Sequence, residues 1–255
     1  MIDNRSGQFT IPHGNRELLI ENLCNRHFGI GADGLILLEN EPGHDFKMVY
    51  FNSDGKAGSF CGNGSRCTVA FAHQVKAIKS DTARFSAVDG THHAEVIKSH
   101  NGKYDVVVGL NDADFPVNLA EDTYFINTGS PHLVIIHDSI ASLNVPKLGR
   151  KIRHSPQWAE EGVNVNFVMI IDRQTIAVRT YERGVERETL SCGTGVTAAA
   201  LTCNTLTVGE KQDAMIVHAE GGSIMVSFSS ESNKKFRNIK LRGASELVFS
   251  GNIKI

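Results

Sequence analysis

The chain has no excess of charge of either sign. Its 255 residues carry 26 Lys and Arg against 28 Asp and Glu, a net charge of −2. It therefore lacks the electrostatic footprint that nucleic acids or acidic membranes demand of a partner. The one basic cluster, KKFR at 234–237, reads as a solvated turn. No apolar run approaches the roughly 18–20 residues that span a bilayer, so no membrane association is expected. The opening MIDNRSGQFT has neither a basic start nor an apolar middle and is not read as a signal peptide. Five cysteines, odd in number and scattered, argue against a disulfide framework and point to a reducing, cytoplasmic setting.

Metal-spaced clusters of Cys and His are absent, as is a glycine-rich phosphate loop ending in GK[ST], so neither a metal nor a cofactor is implied. GIGADG (29–34) fits G-x-G-x-x-G, yet it comes after a helical pattern and precedes a strand. Dinucleotide binding needs the opposite order, which excludes it. Asn4-Arg5-Ser6 and Asn63-Gly64-Ser65 match glycosylation sequons that carry no meaning in a cytoplasmic protein. Cys61 and Cys67 are too far apart for a C-x-x-C redox pair. His92 and His93, in a polar hairpin strand, are expected at the surface.

What the chain does have is many short strands and few helices. NRELLIENLCNRHF (15–28) has helical spacing at Leu18, Leu19, Leu23 and Cys24. GLILLE (34–39) and FKMVYF (46–51) read as strands, and a helix is predicted from about Gly64 to Ile78. Then come FSAV, HAEVIK and YDVVV, split by the hairpin signals Asp89-Gly90 and Asn101-Gly102. The second half does the same again: TIAVRTYERG (175–184) is a strand into a turn, CGTGVTAAALTCNTL opens a helix, and MIVHAE and SIMVSF flank Gly221-Gly222 before NIKLRG. Cys61 and Cys192 lie 131 residues apart, and the hairpin glycines Gly90 and Gly222 lie 132 apart. Two landmarks at nearly one offset, about half the chain length, mark an internal duplication. A duplicated α+β unit predicts two pseudo-symmetric lobes, with Cys61 and Cys192 as equivalent points facing one cleft. The lobes are drawn as residues 1–113 plus 244–255, carrying Cys61, and residues 114–243, carrying Cys192.

Each of these cysteines precedes a helix whose first N–H groups lack intrahelical partners. Those donors and the helix dipole stabilise negative charge, so the thiol pKa is expected to fall below its usual ~8.5. Glycines at 62, 64, 193 and 195 let backbone amides approach a ligand with no Cβ in the way. An amino acid α-carbon between the two sulfurs would lose its proton to one thiolate and receive one from the opposing thiol, inverting configuration by general acid–base catalysis. The amides would stabilise the growing carboxylate charge. Cys24, Cys67 and Cys203, inside helical patterns, are read as core packing.

FNSDGKAGSFCGNGSRC (51–67) and YERGVERETLSCGTG (181–195) closely resemble the two signature motifs of the diaminopimelate epimerases. NRHFGIGADGLILLE (25–39) and NTGSPHLV (127–134) fit the same family, and the resemblance runs along nearly the whole chain. It implies a fold of two similar lobes, each a barrel-like mixed or antiparallel β-sheet wrapped round a central helix, and often a homodimer. It also implies a cofactor-independent epimerase interconverting LL- and meso-2,6-diaminopimelate on the route to lysine and peptidoglycan.

By motif, Cys61 and Cys192 resemble the base and acid, while His132 and Glu182 resemble the groups that tune their ionisation. Gly62, Asn63, Gly193 and Thr194 would hold the reacting carboxylate through backbone amides. Asn52, Asn164 and Arg183 would bind the distant amino-carboxylate end, with Glu182 also at the site; a planar Arg fork suits a carboxylate. Ser130 stands where many members carry Asn, and Gly34 where some carry a substrate-contacting Gln. The segment between Arg183 and Cys192 is one residue longer than the common form. Family members normally begin with a strand leading into a G-x-GNDF motif, whereas this chain opens at a segment resembling the residues just after that motif. An epimerase weakened by the missing strand is the corresponding expectation. Proline and hydroxyproline racemases share the two-cysteine design, but typically carry His after CG in the first motif, where this chain has Asn63. A duplicated binding protein without turnover is the non-enzyme alternative.

Overall fold

The computed structural model describes residues 1–9, 16–206 and 212–253. The chain forms an α+β fold of two compact units: Met1–Gly58, Gly64–Val108 and Arg242–Ile255 make the first, Ser59–Asn63 and Gly109–Leu241 the second. Residues 59–63, and with them Cys61, cluster with the second unit, whereas the sequence repeat assigns Cys61 to the first lobe. The close approach of Gly62 to Gly193 accounts for this grouping.

In the first unit the order is β1 (Ile2–Asp3), α1 (Arg16–Cys24), β2 (Gly34–Glu39), β3 (Phe46–Asn52), α2 (Gly62–Gln74), β4 (Thr82–Ala87), β5 (Gly90–His100) and β6 (Lys103–Gly109). β1 pairs parallel to β2, β2 antiparallel to β3, β3 parallel to β4, and β4 antiparallel to β5, which in turn pairs antiparallel to β6. Asn101 and Gly102 have φ of 47° and 75°, the two left-handed positions of the tight turn the Asn-Gly signal demands. α1 buries Ile20, Leu23 and Cys24, of which Ile20 and Cys24 pack with Leu35, Leu37 and Phe51. Its buried stripe thus runs one step round from the predicted one, leaving Leu18 exposed.

One expectation fails outright in this unit. His92 is buried, stacked on Phe85 at 5.4 Å with its Nε2 2.9 Å from Asp89 Oδ1. Strand parity is the reason: alternate side chains share a face, and His92 falls in phase with the buried Ala94 and Val96.

The second unit continues with β7 (Ala113–Asp114), β8 (Val117–Ala120), β9 (Thr123–Asn127), β10 (Pro131–Ile136), α3 (Val145–Arg153), β11 (Asn164–Ile170), β12 (Thr175–Glu182), β13 (Arg187–Thr189), α4 (Gly193–Leu206), β14 (Ala214–Ala219), β15 (Gly222–Ser230) and the part of β16 (Lys235–Glu246) up to Leu241. β10 pairs parallel to β11, β11 antiparallel to β12, β12 parallel to β14, and β14 antiparallel to β15. That is the pairing sequence of β1 to β5 over again, so the repeat seen in residue spacing is also a repeat of strand order and sense.

α4 carries almost no polar face: Gly193 to Asn204 are all buried, which marks a helix enclosed on every side. Val134, Val168, Ile176, Val178, Met215, Val217 and Val226 from the surrounding strands pack with it in one core. The alternate residues of the same strands, Leu133, Val165, Phe167 and Tyr181, form a second core with Val145 of α3. Parity therefore assigns every position of β10, β11 and β12 to the α4 side or the α3 side, and the polar positions fall under the same rule.

Candidate active site

By that parity, His132, Asn164, Asn166, Thr180 and Glu182 lie in phase with Val134, Val168 and Val178. Five polar side chains thus share the face that α4 covers. Burying polar groups is costly unless each finds a partner, and His132, Asn166 and Thr180 do so in a chain that ends at the first turn of α4. His132 Nε2 lies 3.0 Å from Thr194 Oγ1, and Asn166 Nδ2 lies 3.1 Å from His132 Nδ1. Asn166 Nδ2 also donates to Leu133 O at 2.8 Å, and its Oδ1 accepts from Thr180 Oγ1 at 3.0 Å. Thr194 Oγ1 is 3.6 Å from Cys192 Sγ, and Thr128 Oγ1 donates to the Thr194 carbonyl at 2.9 Å.

The second cysteine arrives from residues 59–63. Gly62 and Gly193, the first residues of α2 and α4, are in backbone contact. A Cβ on Gly193 would lie 2.7 Å from Gly62 Cα, and one on Gly62 would lie 3.1 Å from Gly193 Cα. Only glycine allows that approach. Asn63 Nδ2 donates to Ser191 O at 2.6 Å, and Ser130 Oγ to Ser59 Oγ at 3.4 Å. Cys61 is half-buried, Cys192 is buried, and both are thiols outside any disulfide.

The electrostatics reverse one expectation. Exclusion of water drives the Cys192 thiol well above its ordinary pKa, and the Glu182 carboxylate adds to that. The Thr194 hydroxyl and the Gly195 N–H pull the other way, with Cys61 again raising it. The helix-terminal amide acts as the sequence predicts. Complete burial outweighs it, because an anion without water loses more than one or two donors return. The His132 pKa moves the other way, lowered to about 3, first by burial and then by the nearby Arg183, so its imidazole is neutral at physiological pH.

At the rim, Asn164 Oδ1 accepts from the Arg183 N–H at 2.9 Å while its Nδ2 donates to Pro131 O at 3.3 Å. Arg183 Nη1 donates to Glu161 O at 2.8 Å, and Thr189 Oγ1 donates to Glu182 at 3.0 Å. The second unit therefore brings together Cys61, Gly62, Asn63, Ser130, His132, Asn164, Glu182, Arg183, Cys192, Gly193 and Thr194. Asn52 closes β3 in the first unit, half-buried, its N–H bonded to Lys56 O at 2.9 Å. Asn166, Thr180 and Thr128 join the site without having been expected there. The signal for Asn166 was present: N-V-N-F sets two asparagines on one face of an apolar strand, where neither can be idle. Among the described residues, no group of three His, Cys, Asp or Glu is placed to hold a metal ion, and no helix is long and apolar enough to cross a membrane.

Solved structures with this fold include a hydroxyproline epimerase from Agrobacterium vitis (TM-score 0.66, 14% identity, 93% of this chain and 80% of that one). A probable proline racemase from Agrobacterium radiobacter (0.65, 17%, 93% and 82%) and a PhzF-family phenazine biosynthesis protein from Bacillus anthracis (0.64, 13%, 97% and 91%) share it as well. At such identities the likeness defines the fold class, that of the racemase and PhzF-like proteins. Sequence goes further. The family model described as diaminopimelate epimerase matches residues 1–114 and 124–247. Diaminopimelate epimerase of Flavobacterium psychrophilum is 46% identical over 99% of this chain and 94% of its own length; that of Chlorobaculum tepidum is 38% identical over 99% and 96%. The chain belongs to the diaminopimelate epimerase family, a family of isomerases.

Proposed function

We propose that the chain interconverts LL- and meso-2,6-diaminopimelate with two cysteines and no cofactor. The observation that carries this reading is the meeting of Gly62 with Gly193, which brings Cys61 and Cys192 to adjoining helix starts in one unit. The relatives' names supply the substrate.

In the reaction, the Cys61 thiolate takes the α-proton from one face of the substrate carbon. The C–H electron pair passes into the adjoining carboxylate, and the Cys192 thiol gives its proton to the opposite face. Cys61 ends as a thiol and Cys192 as a thiolate, and the reverse passage restores both. Burial keeps Cys192 protonated, which suits it as the acid of this direction. The helix-start amides of Gly62, Asn63, Gly193 and Thr194 receive the charge that grows on the carboxylate. Arg183, beside Asn164, supplies a cation for the far carboxylate. Such an enzyme would serve lysine and peptidoglycan synthesis in the cytoplasm, with the homodimer typical of the resemblance.

The test is α-proton exchange in D₂O with LL-diaminopimelate, meso-diaminopimelate and proline. Wild-type protein should exchange the diaminopimelates only, and Cys61→Ala and Cys192→Ala should each abolish inversion while leaving the thermal transition in place. Exchange of proline instead, or full inversion by either variant, would overturn the proposal.

A further inference from the structure

The polar chain behind Cys192 has a direction, and Asn166 sets it. Leu133 O can only accept a hydrogen bond, so the amide atom facing it at 2.8 Å is Nδ2, and Oδ1 is left to accept from Thr180 at 3.0 Å. The second hydrogen of Nδ2 points at His132 Nδ1, 3.1 Å away. That nitrogen must carry a lone pair, for a proton there would set two donors against each other. A neutral imidazole has one N–H, so it sits on Nε2 and donates to Thr194 Oγ1 at 3.0 Å. With one lone pair taken by His132, the Thr194 hydroxyl has its own hydrogen free for Cys192 Sγ at 3.6 Å, and a thiolate there can only accept it. The carbonyl of Thr194 is pinned by Thr128, and Asn166 abuts the helix start so closely that a Cβ on Gly195 would lie 2.5 Å from its Oδ1.

We infer that Asn166 is a positioning residue of the reaction: by locking His132 in the Nε2–H tautomer it keeps the Thr194 hydroxyl hydrogen free to donate to the Cys192 sulfur, which stabilises the thiolate left when that thiol has given up its proton. The inference rests on the two-cysteine reading of the function. It concerns a side chain that acts only through His132 and Thr194, held between Thr180 and Leu133 on the core face of β11. The charged and titratable groups that bear on Cys192 are Glu182 from β12 and Cys61 from residues 59–63, and Arg183 bears on His132. The hydrogen bonds of Asn166 run instead to the His132 ring, the Leu133 carbonyl and the Thr180 hydroxyl, so neutral groups set the direction of the relay.

Nitrogen NMR of histidine-labelled wild-type protein tests the tautomer without reference to turnover. The His132 proton should be on Nε2; a proton on Nδ1 overturns the inference and leaves the two-cysteine reading untouched. Asn166→Asp should invert the relay, because a carboxylate only accepts and draws the proton to Nδ1. The Thr194 hydroxyl then donates to Nε2 and the sulfur loses its donor. The rate of Cys192 alkylation at a fixed pH, read by mass spectrometry, should fall about tenfold, the effect on the thiolate fraction of losing one hydrogen bond to an anion. The same substitution in a Thr194→Val background should add almost nothing. An undiminished fall there would mean that the new charge acts directly through space, and the relay would be refuted. Absence of epimerase turnover with the Nε2–H tautomer intact would count against the proposed function instead.

Discussion

Replacing Gly193 by Ala adds one methyl group where the two cysteine-bearing segments touch. The new Cβ would lie 2.7 Å from Gly62 Cα, 3.0 Å from Gly62 C and 3.1 Å from Asn63 N. All three are backbone atoms, so no rotamer change relieves the contact. Ordinary van der Waals separation begins at 3.4 Å, and the segments must part by about 0.7 Å or more to reach it. In the proposed reaction the substrate carbon has to be in line with both sulfurs at once, and a misplacement near 1 Å costs on the order of 100-fold in rate. We therefore expect kcat/KM for inversion to drop about 100-fold. Stability should suffer less: overpacking costs roughly 1–3 kcal/mol, partly offset by up to about 1 kcal/mol from the better helix former. For a chain of this size that is a lowering of Tm by only a few degrees. The assay pairs deuterium uptake from D₂O with a thermal melt. Gly251→Ala, where a Cβ meets nothing within 4 Å, is the control. Wild-type inversion rates in Gly193→Ala, with the melt unchanged, would show that the glycine contact does not govern the distance between the reacting groups.

Acid stability should report on His132. Its folded pKa of about 3 lies below the ordinary 6.5, so the unfolded chain takes up a proton that the folded chain refuses. Its contribution to stability is intact above pH 6.5 and erodes as pH falls toward 3, by up to about 1.4 kcal/mol per unit. His132→Gln should flatten the acid limb of Tm against pH by that much; parallel limbs in both proteins would refute the assignment. Mild oxidation should join Cys61 to Cys192, removing two thiols and all turnover, with both restored by reductant. Lost activity at an unchanged thiol count would contradict it.

How much of this was legible depends on whether the controlling interaction is local. The duplication could be read because each repeat carries its own turn signals: Asn101-Gly102 and the glycines at 90 and 222 need positive φ wherever the chain places them. The placement of Cys61 and Cys192 just ahead of helix starts could be read for the same reason, since a Gly-x-Gly helix start declares itself in a few residues. The faces of β5 and β11 could not be assigned without knowing the phase of each strand. His92 looks like a solvated polar residue in sequence and is buried because it shares a face with Ala94; Asn166 is buried in phase with Val168, and only its spacing from Asn164 hinted at it. The grouping of residues 59–63 with the second unit was also hidden, because it depends on a contact between positions more than a hundred residues apart.

The ionisation of Cys192 is the case in which local and distant terms oppose each other. Sequence supplies the local term, a thiol one residue ahead of a helix with an amide donor at Gly195. The distant term is the enclosure of α4 from Gly193 to Asn204, which shields the sulfur from most water, and it prevails. A cysteine at an open helix start would be a ready base in both protonation cycles. In the proposed reaction, a cysteine at a closed one would hold its proton until a substrate carbanion, more basic than any thiolate, arrives to take it. The donors at Thr194 and Gly195 would then act mainly on the thiolate that remains. Burial and helix start would thus divide the labour, the first securing a proton to give and the second making the giving reversible.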